Sequence, residues 1–123
     1  MLKKVFVSHS TQFDYKKELY MPLKESRLSR TLEFFFPHET DVTLNTKEAI
    51  QNVYDVVLAE VSYPSTGQGI ELGWANDANK KIICIYKKEA KISSSLHELT
   101  NYIYPYITIT DLVDKIETVI KEL

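Results

Sequence analysis

The chain has 123 residues, 44% of them hydrophobic, with 15 basic against 17 acidic side chains and a formal charge of −2. That length suits one layered core, so residues 1–123 are read as a single domain. The lack of a basic excess and of any long apolar run argues against duplex nucleic acid and membrane as partners and favours a small molecule or another protein.

Short apolar runs alternate with longer amphipathic stretches, the pattern of βαβ units around a parallel sheet. The first strand is predicted at Lys4 to Ser8, and its short apolar run fits neither a signal peptide nor a membrane span, which points to the cytoplasm. A helix is expected between Asp14 and Glu25, then a second strand from Leu32 to Phe36, stopped by Pro37. Helix two falls at Thr46 to Val53 with Asn45 or Thr46 as its cap, and strand three at Asp55 to Ser62. Strand four runs from Lys81 to Lys87 with lysines at its wet ends, and its Cys84 reads as a small buried hydrophobe. Strand five is placed at Tyr104 to Thr110, with Pro105 favouring a strand start or an edge. The last helix is given Asp111 as its cap, with Leu112, Ile116, Val119, Ile120 and Leu123 on one face. The fold class is therefore α/β: an open, mostly parallel five-stranded sheet with helices on both faces, flavodoxin- or Rossmann-like.

All three glycines fall between Gly67 and Gly73, directly after the third strand. Glycines so concentrated predict a loop that needs backbone without Cβ atoms, followed by a helix carrying Glu71 in its first turn. There the helix dipole would favour an ionised carboxylate by about 0.3 to 1 kcal/mol. In an open parallel sheet the ligand crevice lies at the carboxyl ends of the strands. The residues leaving those ends are Ser8, His9 and Ser10, then His38 with Glu39 and Asp41, then Ser62 to Gly69, then Ser93, Ser94 and Ser95. The ordinary reading beside each is a surface histidine for His9 and His38, a turn serine for Ser65, a cap for the Ser93 to Ser95 hydroxyls and a dipole-favoured helix residue for Glu71. Glu60 is the odd polar group of strand three, either hydrogen-bonded into the site or facing water. Nothing in the spacing of Cys, His, Asp and Glu suggests a metal, and no cofactor is expected.

The string from Asp55 to Gly73, with Tyr63-Pro64-Ser65-Thr66-Gly67-Gln68-Gly69-Ile70-Glu71-Leu72-Gly73 at its end, resembles the signature of the nucleoside 2-deoxyribosyltransferase family, which includes the 2′-deoxynucleoside 5′-monophosphate N-glycosidases. The resemblance implies cleavage or transfer of the N-glycosidic bond of a nucleoside or its 5′-monophosphate. Glu71 matches the nucleophile that attacks the sugar's anomeric carbon, by the logic of retaining glycoside cleavage. Ser65 matches a contact to the 5′ end of the sugar or its phosphate, and Gly67 and Gly69 share that turn. One of the serines at Ser93 to Ser95, with Ser94 and Ser95 the nearest, matches a second substrate contact. The first strand departs from the family, which usually has a tyrosine there; this chain has Phe6 followed by Ser8, His9 and Ser10, and these four with His38 are the candidate substrate contacts at the exits of the first two strands. The family's acid for the leaving base has its nearest counterpart in Glu48, with Glu39 and Asp41 as substitutes. The resemblance further implies a homodimer. Two other readings stay open. Val5-Phe6-Val7-Ser8-His9-Ser10 also looks like the first strand of TIR domains, some of which cleave NAD. A nucleotide-binding module that has lost catalysis is the alternative of another class.

Overall fold

The computed structural model describes residues 2–39 and 45–123, so Asp41 lies outside the described residues. Five strands form one sheet: β1 (Lys3–His9), β2 (Leu32–Phe35), β3 (Val56–Glu60), β4 (Lys81–Lys87) and β5 (Ile103–Tyr106). The order is β2-β1-β3-β4-β5, and every pairing is parallel. A parallel sheet covered on both faces buries successive residues of its central strands, and all five residues of β3 are buried. The alternation of β1 splits its side chains between two cores. Val5 and Val7 meet Val56, Leu58, Ile83 and Ile85 on one face, and Phe6 meets Val57, Ala59, Ile82 and Cys84 on the other.

The first face is covered by a π-helical turn (Lys16–Tyr20) running into α1 (Met21–Glu25), and by α4 (Ile109–Glu122). The second is covered by α2 (Thr46–Asn52) and α3 (Thr66–Asp77). Helices therefore lie on both faces of an open α/β sheet, as expected. Among the described residues no helix is long and apolar enough to cross a membrane. Cys84 packs as a small hydrophobe, fully buried, and that burial pushes its thiol up to about 12.

Three local expectations are corrected. The glycine segment is helix rather than loop. Ser65 caps α3, its hydroxyl accepting the Gln68 N–H at 3.4 Å, and all three glycines lie within the helix with no positive φ. A Cβ at Gly67, Gly69 or Gly73 would meet nothing within 4 Å, so no close approach within the chain requires these glycines. Each instead weakens the helix by about 1 kcal/mol relative to alanine. Burial of Gln68, Leu72 and Ala75 against the sheet outweighs that propensity. Glu71 is consequently the sixth residue of α3, beyond the first turn in which the dipole acts.

The last helix starts earlier than predicted, because Thr108 is its cap and Asp111 its third residue. Asp111 N–H donates to Thr108 Oγ1 at 3.1 Å, and Asp111 Oδ2 accepts the Ile107 N–H at 3.1 Å, a reciprocal capping arrangement. β5 accordingly stops at Tyr106. Its Pro105 sits on the edge strand of the sheet, where a missing N–H does least harm.

Candidate active site at the strand-order reversal

In the order β2-β1-β3-β4-β5 the direction of strand addition reverses between β1 and β3, and the carboxyl ends of those two strands open the crevice in which such sheets bind ligands. The two strands end level, with Ser8 opposite Ala59 and His9 opposite Glu60. Gln68 bridges them. Its buried amide donates to Ser8 C=O at 3.1 Å and to Glu60 C=O at 2.8 Å. One turn further along α3, Glu71 presents its carboxylate to the same residue of β1, and Ser8 Oγ–H donates to Glu71 Oε1 at 2.8 Å. Burial pushes the Glu71 carboxyl above the usual carboxylate range, and the Ser8 hydrogen bond pulls it part of the way back. The result is a half-buried carboxylate with one oxygen oriented by a hydroxyl. No charged group among the described residues pairs with it.

The other predicted residues divide. Phe6 is corrected: it is fully buried, packed at 5.6 Å against the rings of Phe35 and Tyr54, and cannot reach a ligand. His9 is corrected from surface to interior. Its Nδ1–H donates to Ser10 C=O at 2.7 Å, which leaves Nε2 to accept the Tyr20 hydroxyl at 2.5 Å, and desolvation holds the ring below the ordinary histidine range. Tyr20 in turn accepts the His38 N–H at 3.1 Å, and burial pushes its phenol up. The His38 side chain is exposed, as expected. Ser10 is buried, and its hydroxyl accepts the Gln12 N–H at 3.1 Å while Gln12 Nε2–H donates to Pro64 C=O at 3.0 Å. The loops leaving β1 and β3 are thereby tied together. Glu48 is exposed in the first turn of α2 and makes no hydrogen bond to Glu71, and Glu39 is paired with Lys24.

A cleft of about 340 Å³ opens on the opposite flank of α3. Ser65, Gln68, Gly69, Ser93 and Ser95 supply its polar wall, and Leu72 and Leu96 part of its apolar wall. Ser93 caps the short 3-10 turn Ser94–Glu98 by accepting the Ser95 N–H at 3.3 Å, whereas Ser94 and Gly67 are not part of the cleft wall. The predicted residues thus form two groups on either flank of α3, Ser8 with Glu71 and Ser65 with Gly69 and Ser95. Gln68 belongs to both. A larger groove, about 650 Å³, lies between Lys17–Glu18 and Ile107–Ile109 and contains none of the predicted residues.

Sequence reasoning passed over Gln68, Gln12 and Tyr20. For Gln68 a signal existed: an amide at the helix position whose neighbours, Leu72 and Ala75, turn inward. Of the two readings of Glu60 the buried, hydrogen-bonded one holds, since the side chain is 1% exposed and bonded to Ser62.

This topology places the chain among flavodoxin-like α/β proteins, with the Glu71 carboxylate at the reversal of strand order. No protein-family model matches the chain. A protein of Nematostella vectensis named as a 2′-deoxynucleoside 5′-phosphate N-hydrolase is 33% identical over 66 residues, 54% of this chain and 41% of that protein. The human 5-hydroxymethyl-dUMP N-hydrolase is 50% identical over 36 residues, 29% of this chain and 21% of that protein. The matched region therefore spans less than half the length of either relative. Among solved structures, the Clostridium botulinum CMP N-glycosidase BcmB superposes with a TM-score of 0.67 at 21% identity, over 95% of this chain and 99% of that one, which establishes a shared fold. The chain is a distant homologue of the 2′-deoxynucleoside 5′-phosphate N-hydrolases.

Proposed function

We propose that this protein is a nucleotide N-glycosidase that cleaves the bond between base and sugar of a 2′-deoxynucleoside 5′-monophosphate, with Glu71 as nucleophile. The observation that carries the reading is the half-buried Glu71 carboxylate, oriented by Ser8 at the strand-order reversal, in a chain distantly homologous to N-hydrolases. The Glu71 oxygen not engaged by Ser8 attacks C1′ from the face opposite the base. The C1′–N bond breaks and its electron pair leaves with the base, which takes a proton from an acid, for which Glu48 at the start of α2 is the candidate. Water then attacks C1′ of the glycosyl ester, giving its proton to the carboxylate that protonated the base. The C1′–O bond to Glu71 breaks, which releases the sugar phosphate and restores the Glu71 carboxylate. The 5′-phosphate is assigned to the cleft beside the start of α3, where the Ser65 and Ser95 hydroxyls provide donors. The reading takes residues 1–123 as one domain acting as a cytoplasmic homodimer.

The test is incubation with a panel of nucleosides, 5′-monophosphates and NAD, each with and without a free acceptor base, resolved by chromatography. The expected result is base release from a monophosphate without any need for an acceptor. Release of nicotinamide from NAD alone would favour the TIR-like alternative, and tight nucleotide binding without turnover would favour a binding module.

Ser8→Ala tests the geometry of the nucleophile. The Ser8 hydroxyl fixes the direction of the attacking carboxylate, and misplacing a reacting group by about 1 Å costs up to about 100-fold, so kcat should fall roughly 10- to 100-fold. The sign of the pH effect follows from Ser8 favouring the ionised carboxylate. Because burial raises the Glu71 carboxyl, the acid limb of kcat/KM should lie above the usual carboxylate range in the wild-type protein and move further up in Ser8→Ala. An unmoved limb would mean that the Ser8 hydroxyl does not act on the reacting carboxylate.

A further inference from the structure

We propose that Gln68 is a positioning residue for Glu71: its amide clamps the carboxyl ends of β1 and β3 where the strand order reverses, so that Ser8 meets the Glu71 carboxylate at a set distance. The inference rests on the reading of Glu71 as the nucleophile. Both partners of the amide, Ser8 C=O at 3.1 Å and Glu60 C=O at 2.8 Å, are acceptors only, so its nitrogen must face them. Ser8 therefore offers its carbonyl to Gln68 and its hydroxyl to Glu71. Gln68 and Glu71 lie three residues apart on α3, neighbours on one helix flank. A closed circuit results, running from the Ser8 carbonyl through the Gln68 side chain and one turn of α3 to Glu71, and back to Ser8 through its hydroxyl.

The clamp also joins the two strands at the point where their own ladder ends. Gln68 is 5% exposed, and an amide buried without partners is costly, so an apolar side chain would fill the same volume more cheaply were bracing not required. Ser8 from β1 is the hydrogen-bond partner of the Glu71 carboxylate, whose charge also helps to raise the Tyr20 phenol just ahead of α1, itself committed to His9 and the His38 backbone.

Gln68→Met keeps the volume and removes both donors. With the fold intact by circular dichroism, kcat should fall about 10- to 100-fold, since misplacing a reacting group by about 1 Å costs on that order. Glu71, followed by carbon NMR of its carboxyl, should titrate at higher pH than in the wild-type protein. Because both changes act through one hydrogen bond, Gln68→Met should lose little further activity in a Ser8→Ala background. Losses that multiply in the double variant, or an unmoved Glu71 titration in folded Gln68→Met, would overturn the clamp. So would a Gln68 side-chain NH2 that exchanges with solvent at the free rate in the wild-type protein, a measurement that needs no variant to fold. The titration and the exchange are read without turnover, so they judge the clamp even if Glu71→Gln remains active and the nucleophile reading fails.

Discussion

Glu71→Gln should lower base release by about 10³-fold or more, the scale on which removal of a catalytic nucleophile acts, with nucleotide binding retained. The amide keeps the size of the carboxylate and an oxygen able to accept from Ser8 Oγ, so the fold and the Ser8 contact survive while the attacking oxygen is lost. Stability should move the opposite way. The folded protein holds the Glu71 proton more tightly than the unfolded chain does, because burial raises the carboxyl above its ordinary value. As pH rises from the ordinary carboxylate range through that raised value, the folded state must accommodate a charge that the unfolded state hydrates freely, and stability falls. At neutral pH Glu71→Gln should therefore melt above the wild-type protein, and the gap should close as pH drops below the ordinary carboxylate range. A helix residue with a purely structural role would behave otherwise, its amide variant melting at or below the wild-type temperature with turnover intact. Calorimetry at pH 7 and at pH near 4, beside chromatographic rates, separates the two.

The sheet was legible because burial on both faces leaves runs such as Val56-Val57-Leu58-Ala59 and Ile82-Ile83-Cys84-Ile85, which turn residues and lysines mark off. Strand exits follow from strand ends, so Ser8, Ser65 and Glu71 could be placed near the crevice from the sequence. What could not be read was the state of the glycine segment. Glycine's low helix propensity argues for loop, and only the tertiary burial of Gln68, Leu72 and Ala75, with the Ser65 cap, decides for helix. That change moves Glu71 past the first turn and replaces the dipole as its controlling influence with burial and the Ser8 hydroxyl. It also leaves three exposed glycines within a helix that has no conformational need for them. His9 illustrates a second limit. A lone histidine in a hydroxyl-rich exit reads as surface, and its burial depends on a partner eleven residues away, Tyr20, that no local pattern announces. Gln68 is a third case, since its two acceptors lie on β1 and β3 and a bridge of that kind exists only once the strands are paired.

Glu60→Leu should destabilise the protein by about 2–4 kcal/mol, because it orphans several buried donors at once. Glu60 is 1% exposed at the end of β3, where its Oε1 accepts the Ser62 N–H at 2.6 Å and its Oε2 accepts the Ser62 hydroxyl at 3.0 Å. The Tyr106 hydroxyl of β5 also donates to Oε2, and burial beside that carboxylate keeps the phenol protonated. Ser62 Oγ in turn accepts the Lys87 N–H at 2.7 Å, so one carboxylate ties β3 to the ends of β4 and β5 and sets the start of the loop that leads to the Ser65 cap. For a domain of this size the loss corresponds to a fall in Tm of roughly 10 °C. The distinguishing result lies in the second substitution. An unpaired buried donor costs more than a missing one, so adding Tyr106→Phe to Glu60→Leu removes an orphan and should recover about 1 kcal/mol, whereas Tyr106→Phe alone should cost about that much. Denaturant titrations of the two single variants and the double would expose that change of sign. Additive losses across the cycle would show instead that Glu60 and Tyr106 act independently and that their contact contributes nothing to holding the β3 exit.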